Sequence, residues 1–496
     1  MFQAHYEIKM SVVSDLRAAV LAVVWLSTAS AQAPAPVTIG DVNVTVSLRT
    51  RTEFWDWFPA NASSNYAFPG SILRVGLGQS GQAVDWQVEF ALPFLLGLPG
   101  DAIAPGAQGQ LGLGATYFAA NGGNSNAAML FAKQGFVRFK GLGGSARQSL
   151  KLGRIEFIDG TEVAPKNATL AALKRDRIAH RLLGNFAFSD VGRSFDGAQY
   201  ALNGSKVNLT LFAARPTRGV FQVDGWGEIR ANVYYGALTG QLARPKNSGE
   251  WRLFGLGYSD YRDHVVKTDN RPLAARTADT GHIHIATFGG HYLHAVETTA
   301  GTLDLLLWGA AQAGSWGNLD HRAGAFAVEG GWQPSFLKVA KPWIRGGCNY
   351  GSGDKSPNDG THGTFFQVLP TPRVYARFPF FNMMNDRDLF GELILRPSRK
   401  VTVRSDIHSL RLAQRSDLWY SGGGAFQPWT FGYTGRPSNG QSGLATLYDI
   451  SADYNASAHV SVGLYYAHAA GKQVVQSIYP LGRDANFGYI EFTLRF

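Results

Sequence analysis

The chain has 496 residues, of which 59 are glycine, and only 17% are charged while 12% are aromatic. That composition fits short strands, turns and interfacial rings better than a charge-rich cytosolic enzyme, and past residue 30 no apolar run reaches the roughly 18 residues that a membrane-crossing helix needs. The formal charge of +10 survives loss of the N-terminal segment, because Lys9 and Arg17 leave together with Glu7 and Asp15, so the exported chain meets nucleic acid, anionic lipid or an anionic solute.

Residues Met1 to Ala33 begin with Lys9 and Arg17, continue with the apolar run Ala18 to Leu26 and end in small residues through Ala31. This is the pattern of a cleaved export signal over residues 1–31, and residues 32–496 then form one domain. A buried N-terminal helix is the competing reading, but the prolines of Gln32-Ala-Pro-Ala-Pro36 break the chain where such a helix would continue. Met10 competes with Met1 as the start of translation.

The first strand signal is Asp41 to Phe54, with Val42, Val44, Val46 and Leu48 on one face and Asn43, Thr45, Ser47, Arg49, Arg51 and Glu53 on the other. The same alternation recurs in Val84 to Phe90, Lys206 to Phe212, Ile229 to Tyr235 and Lys400 to Ile407. Weaker segments lie near residues 72, 131, 150, 196, 252, 284, 304, 324, 344, 391, 445 and 461. With the last segment this predicts an all-β chain, a single transmembrane antiparallel β-barrel of about 18 strands, wide enough for an aqueous channel. Three stretches are too long and too rich in Gly, Pro and Asn to be wall: Leu95 to Ala127, Asp159 to Val191 and Ser352 to Asp386. They are candidate loops that fold into the pore or gate it. Within the second, Leu170 to Leu183 reads either as a short helix bearing Lys174, Arg175, Arg177 and Arg181 or as a solvated loop. Asn486 to Phe496 places Ile490, Phe492, Leu494 and Phe496 outward. A terminal aromatic on an alternating strand marks a substrate of the barrel assembly machinery of the Gram-negative outer membrane.

Strand parity sends Arg49, Arg51, Arg138, Lys151, Arg230, Arg252, Arg345, Arg404 and Arg495 to the lumen. An Arg or Lys on the lipid face near the midplane would cost about 2–4 kcal/mol, an independent warrant for that placement. Asp85, Glu89, Asp304, Glu392 and Asp406 supply an acidic share, so a cationic lumen and a balanced one are both open at this point. If the cationic excess holds, rings of Arg and Lys select anions; the expected partner is an anionic solute and not nucleic acid. His282 and His284 share a strand face without a carboxylate beside them, which is too few ligands for zinc, and no metal or cofactor is expected. His408 and Ser409 are neighbours on one strand and point to opposite faces, which argues against a lipid-hydrolase dyad, the rival enzymatic reading. The lone Cys348 reads as wall packing.

Several fragments resemble the alginate export porins: Gly153-Arg154-Ile-Glu156, Leu183-Gly-Asn-Phe186, Arg193-Ser-Phe-Asp196-Gly, Ser352-Gly-Asp354, Thr364-Phe365 with Leu369-Pro370, and Asp417-Leu-Trp-Tyr420. The resemblance implies an 18-stranded barrel with an electropositive pore and places Arg154, Arg193 and Asp196 among its site residues. It further implies passive passage of a polyuronate such as alginate or its oligomers, in a direction the sequence does not fix, with no enzyme activity. The expected surroundings are outer-membrane lipid and an anionic polysaccharide or oligosaccharide, with the barrel as a monomer. A general anion-selective porin for small carboxylates is the alternative.

Overall fold

A computed structural model describes residues 37–244 and 246–496; the expected export signal lies outside the described residues. Along each alternating segment the two side-chain faces meet different surroundings, lipid on one and the barrel interior on the other, so the chain is held in extended strands. The wall consists of β1 (Val42–Asp56), β2 (Asn65–Ser80), β3 (Val84–Leu95), β4 (Phe131–Lys140), β5 (Gln148–Ile155) and β6 (Phe195–Asn203). It continues through β7 (Val207–Pro216), β8 (Ala231–Arg244), β9 (Asn247–Asp260), β10 (Ile283–Thr298), β11 (Gly301–Trp316) and β12 (Leu319–Pro334). β13 (Trp343–Gly351), β14 (Asp386–Leu395), β15 (Val401–Leu412), β16 (Gly443–Asn455), β17 (Val460–Gly471) and β18 (Asp484–Arg495) complete it. Successive strands pair antiparallel, and β1 pairs with β18, with Ser47 opposite Arg495 and Asp56 opposite Asn486, closing an 18-stranded barrel. Closure leaves no unpaired edge for lipid to meet.

Both described termini lie at the end served by short turns such as 81–83, 204–206, 299–300 and 456–459. The opposite end carries 96–130, 156–194, 217–230, 261–282, 352–385 and 413–442. In outer-membrane barrels the short turns face the periplasm, which orients the molecule. The three long stretches anticipated from composition are among these loops; 217–230, 261–282 and 413–442 were not anticipated.

Val84, Val88, Phe90, Leu211, Ile344, Ile407 and Phe492 are exposed outward, as their parity requires. β8 departs from the expectation. Ala231, Val233 and Tyr235 are buried inside, whereas Tyr234 is 56% exposed on the lipid side. Arg230 therefore faces outward, where it pairs with the exposed Asp263, and its assignment to the lumen is corrected. The cause is the filling of the extracellular half of the barrel by infolded loops. Phe365, Phe366, Phe378, Phe380, Phe381, Trp419 and Phe431 join Trp55, Trp316, Tyr465 and Phe487 from the wall in one buried cluster. Wall residues beside that cluster must be apolar on their inner face, so polarity no longer tells inside from outside there. Each fully buried ring contributes about 1.5–3 kcal/mol.

Candidate functional site: the lumen and its infolded loops

Loop 156–194 crosses the interior and is anchored at both arms by charge. Two residues before the wall strand ends, Gly153 takes φ +124° and packs closely on the neighbouring strand, where a Cβ would lie 2.2 Å from the Gly135 carbonyl oxygen. Asn167 caps the helix Ala168–Leu173 by accepting from the Leu170 amide at 3.1 Å, and a wider turn over Lys174–Ile178 follows. Of the two readings of 170–183, a helix forms only in part: the α-helix ends before the first of the four cations, Lys174, Arg175 and Arg177 lie in the wider turn and Arg181 beyond it, and Lys174, Arg177 and Arg181 meet acids of the wall. Lys174 Nζ lies 2.7 Å from Glu250, Arg177 binds both oxygens of Glu329 at 2.8 and 3.0 Å, and Arg181 reaches Glu329 at 3.1 Å. Arg345 of β13 bridges the same Glu329, at 3.1 Å, to Asp304. Arg252 donates to Glu162 of the loop at 3.0 Å, and Asp159 accepts from the Leu182 and Leu183 amides.

The other arm reverses the polarity, with cations on the wall. Arg49 donates to the carbonyls of Ala187 and Ser189 and to Asp190 at 3.1 Å. Arg51 donates to the Phe188 carbonyl at 2.8 Å and to Glu491 at 2.6 Å, with its guanidinium 4.4 Å from the Phe188 ring centroid and 4.7 Å from that of Tyr489. Glu156 receives Arg74 at 2.8 Å and Lys133 at 3.5 Å. These surroundings shift the loop's own groups. Burial would raise Glu156, but Lys133 and Arg74 outweigh it and hold the carboxyl below its ordinary value. Asp176 is likewise pulled down against burial by Arg404 and Arg175. Asp159 is pushed up to about 6 by burial, which Arg252 only partly offsets.

Loop 352–385 meets the first loop along its backbone. Leu183 and Leu369 form a parallel bridge; the Gly184 amide donates to Leu369 at 2.9 Å, and Thr371 Oγ1 accepts from the Phe186 amide at 3.0 Å. Arg193, fully buried, ties this junction to a third loop by donating to the carbonyls of Leu369 at 3.0 Å, Gly423 at 2.7 Å and Ala425 at 3.2 Å. Asp417 gathers the late sequence fragments, accepting from the Asp354 amide at 2.9 Å, Thr364 Oγ1 at 2.6 Å and the Tyr420 hydroxyl at 2.7 Å.

The sequence-nominated residues therefore separate into groups. Arg49, Arg51, Arg252, Arg345, Arg404 and Asp406 face inward. Arg252 and Arg345 are spent in buried ion pairs, and Arg404 is shared between Asp176 and Glu392. Arg138 and Lys151 line a cavity of about 350 Å³ at the periplasmic end, together with Asn43, Thr45 and Asp85. Arg138 pairs with Asp85, and the Lys151 ammonium lies 4.4 Å from the Phe136 ring centroid. Arg154 and Asp196 depart from the lumen reading. Facing each other across β5 and β6, they form a two-pronged pair at 2.7 and 2.6 Å on the outer side of the wall, and Arg154 also holds the Gly225 and Trp226 carbonyls of loop 217–230. Arg193 belongs to the loop junction and not to an open lining. His282 and His284 sit at the outer rim beside Tyr261. Among the described residues no cluster fit for a metal is present.

Sequence reasoning named Arg175 only as one cation of the 170–183 segment, without the 67% exposure of its side chain beyond its contact with Asp176, and it missed Arg377, which lies over the Tyr465 and Tyr489 rings. Both sit in loops, where no periodicity marks the direction of a side chain.

A family model described as alginate export matches residues 113–472. The fold is similar to a BenF-like porin from Pseudomonas fluorescens Pf-5, at TM-score 0.56 and 10% identity over 92% of this chain and 100% of that one. It is also similar to Pseudomonas aeruginosa OccK9 (OpdG), at TM-score 0.55 and 10% identity over 92% and 99%, and to Acinetobacter baumannii OccAB4, at 0.52 and 8% over 92% and 98%. No curated protein sequence matches.

Proposed function

The chain belongs to the alginate export family, and on that premise we propose that this outer-membrane porin barrel conducts an anionic solute, a polyuronate or its oligomers, by passive diffusion. The observation that carries the reading is the periplasmic-end cavity, whose charged lining is Arg138 and Lys151 against Asp85 alone. Deeper in, Arg49 and the exposed Arg175 offer further guanidinium groups beside partly satisfied acids. A carboxylate-bearing chain could then pass from one cation to the next, each contact strong enough to admit it and shared enough to release it. Arg252, Arg345 and Arg404 serve this reading as braces for the loop that narrows the lumen, and Asp406 as an inward acid opposite Asp449.

Two-sided KCl gradients across a planar bilayer test the proposal. Anion selectivity is expected, with a fall when Arg49, Arg138 and Lys151 are replaced together by Gln and a drop in current on adding oligouronate. Cation selectivity of the unmodified protein overturns it. Block by monomeric carboxylates with none by uronate tetramers would favour the small-carboxylate porin. His408 and Ser409 face opposite sides of β15, with His408 bonded to Asp388 at 2.9 Å and Ser409 to Lys472 at 3.3 Å, so the pair forms no hydrolytic dyad. We read the barrel as a monomer delivered by the assembly machinery through its Phe496 strand.

A further inference from the structure

On the outer face of the barrel, at its extracellular end, several arginines come with an acid. Arg154 is paired with Asp196, Arg215 with Glu228 at 3.5 Å, Arg230 with Asp263 and Arg322 with Asp320 at 3.9 Å. The sector around β14 and β15 is different. Arg387, near the start of β14, stands directly opposite Arg411, near the end of β15, and both are exposed on the lipid side while Asp386, Asp388, Leu410 and Leu412 turn inward. Lys472, just past the end of β17, reaches over β16 and puts its ammonium 3.3 Å from Ser409 Oγ, on the same outer face two residues from Arg411. Among the described residues none of these three cations has a carboxylate partner.

Such an arrangement repels itself. Residues directly opposite in an antiparallel ladder have Cβ atoms about 4.5–5.5 Å apart, and like charges placed so are destabilising. Burial and the neighbouring Arg411 both hold the Lys472 ammonium below its ordinary value. An anion bound among the cations removes the repulsion, and guanidinium forks match phosphate oxygens two at a time. What lies beneath the cluster says how that anion arrives. On the same face, two residues from Arg387 and four from Arg411 toward the membrane centre, Leu389 and Ile407 are 65% and 46% exposed, and Tyr448 of β16 stands beside Ile407. A phosphate held by the cations and acyl chains lying on this apolar strip belong to one molecule, a lipid with its headgroup at the extracellular surface. Three cations converging on one spot suit a phosphate monoester, which carries about −1.5 to −2 charges at pH 7, better than the single charge of a phospholipid diester.

We propose that Arg387, Arg411 and Lys472 form a docking site on the outer face of the barrel for a phosphate-monoester glycolipid of the outer leaflet, of the lipid A class, its phosphate among the cations and its acyl chains along Leu389 and Ile407. The site faces away from the lumen and does not depend on what the pore conducts.

Native mass spectrometry of the folded, detergent-solubilised full-length barrel tests it, with lipid A, its dephosphorylated form and phosphatidylglycerol as titrants. Lipid A is expected to bind saturably and about tenfold or more tightly than the other two. Replacing Arg387 and Arg411 together by Gln should abolish that preference, and Lys472→Gln should weaken lipid A by itself. Arg215→Gln, which alters a paired cation of the same rim, should leave lipid A binding unchanged. Inorganic phosphate at millimolar concentration should not displace lipid A, because it lacks the chains. Retention of the SDS-resistant folded form shows that each variant still folds. Equal binding of dephosphorylated lipid A or phosphatidylglycerol, an unaltered affinity in the folded double variant, an equal loss in Arg215→Gln, or displacement by inorganic phosphate would each overturn the proposal.

Discussion

Loops 156–194 and 352–385 touch along the Leu183 and Leu369 backbone, yet they are held by different forces. The first is fastened by ion pairs of alternating polarity, its cations on Glu250 and Glu329 and its acids under Arg49, Arg74 and Lys133. The second is fastened by rings, with Phe378 against Trp57 and Phe380 against Trp419. Dispersion and hydrophobic burial are indifferent to pH, whereas paired charges are not. Loop 352–385 is thus held mainly by contacts that pH leaves alone, although burial pushes its own Asp354 up to about 6, and loop 156–194 carries most of the paired charge that pH can release.

The sharpest way to break that contrast is Glu329→Gln, which strips one acid from Arg177, Arg181 and Arg345 together. Uncompensated buried charge costs about 3–5 kcal/mol. Trypsin cleavage within 174–181 should accelerate while the barrel stays SDS-resistant, and single-channel current should become noisier. Phe378→Ala attacks the other loop and should cost about 3 kcal/mol, equally at pH 4 and pH 7 in thermal unfolding; a pH-dependent loss would contradict the division. Arg51→Gln removes charge-assisted bonds worth about 1.5–3 kcal/mol and should lower anion selectivity in reversal-potential measurements without exposing 174–181.

Acidity acts on the first loop in two senses. Glu156 and Asp176 are held below their ordinary values of 4.5 and 3.8, so their stabilisation is complete above those values and is lost as pH falls through the lowered ones. Asp159 works in the opposite sense. With its carboxyl held at about 6 against an ordinary 3.8, the folded loop favours the proton, and docking weakens as pH rises across that interval. Asp159→Asn keeps an acceptor for the Leu182 and Leu183 amides, so it should flatten the dependence of proteolysis on pH near 5–6 and leave the release in stronger acid intact. The smallest effect belongs to Arg230→Ala, on the outer rim: selectivity and conductance should not change, and a measurable shift in reversal potential would return Arg230 to the lumen.

Much of the wall was legible because a strand repeats every two residues and each repeat must choose between lipid and interior. Every one of the expected strand segments falls on a different strand of the closed barrel, and the parity of Arg49, Arg51, Arg252 and Arg404 follows from their apolar neighbours. Parity failed at Arg230, where the interior is itself apolar and the criterion loses its contrast. The fragments around Arg154, Arg193 and Asp417 were visible as a pattern, but their work as braces between loops was not, since much of it consists of bonds to backbone carbonyls and amides that carry no residue identity. Trp419 was visible only within the Asp417-Leu-Trp-Tyr420 fragment, and neither its pairing with Arg436 on the same hairpin nor its approach to Phe380 of loop 352–385 could be read from it.

By itself, then, the sequence determined an antiparallel barrel, its approximate strand number and the lipid-facing side of most of its strands, all consequences of a local period. Only the tertiary structure decided which cations remain available in the lumen. Arg51 meets Glu491 across 440 positions of chain and Arg177 meets Glu329 across 152, and pairing over such separations is set by barrel closure and loop folding, which no local period encodes.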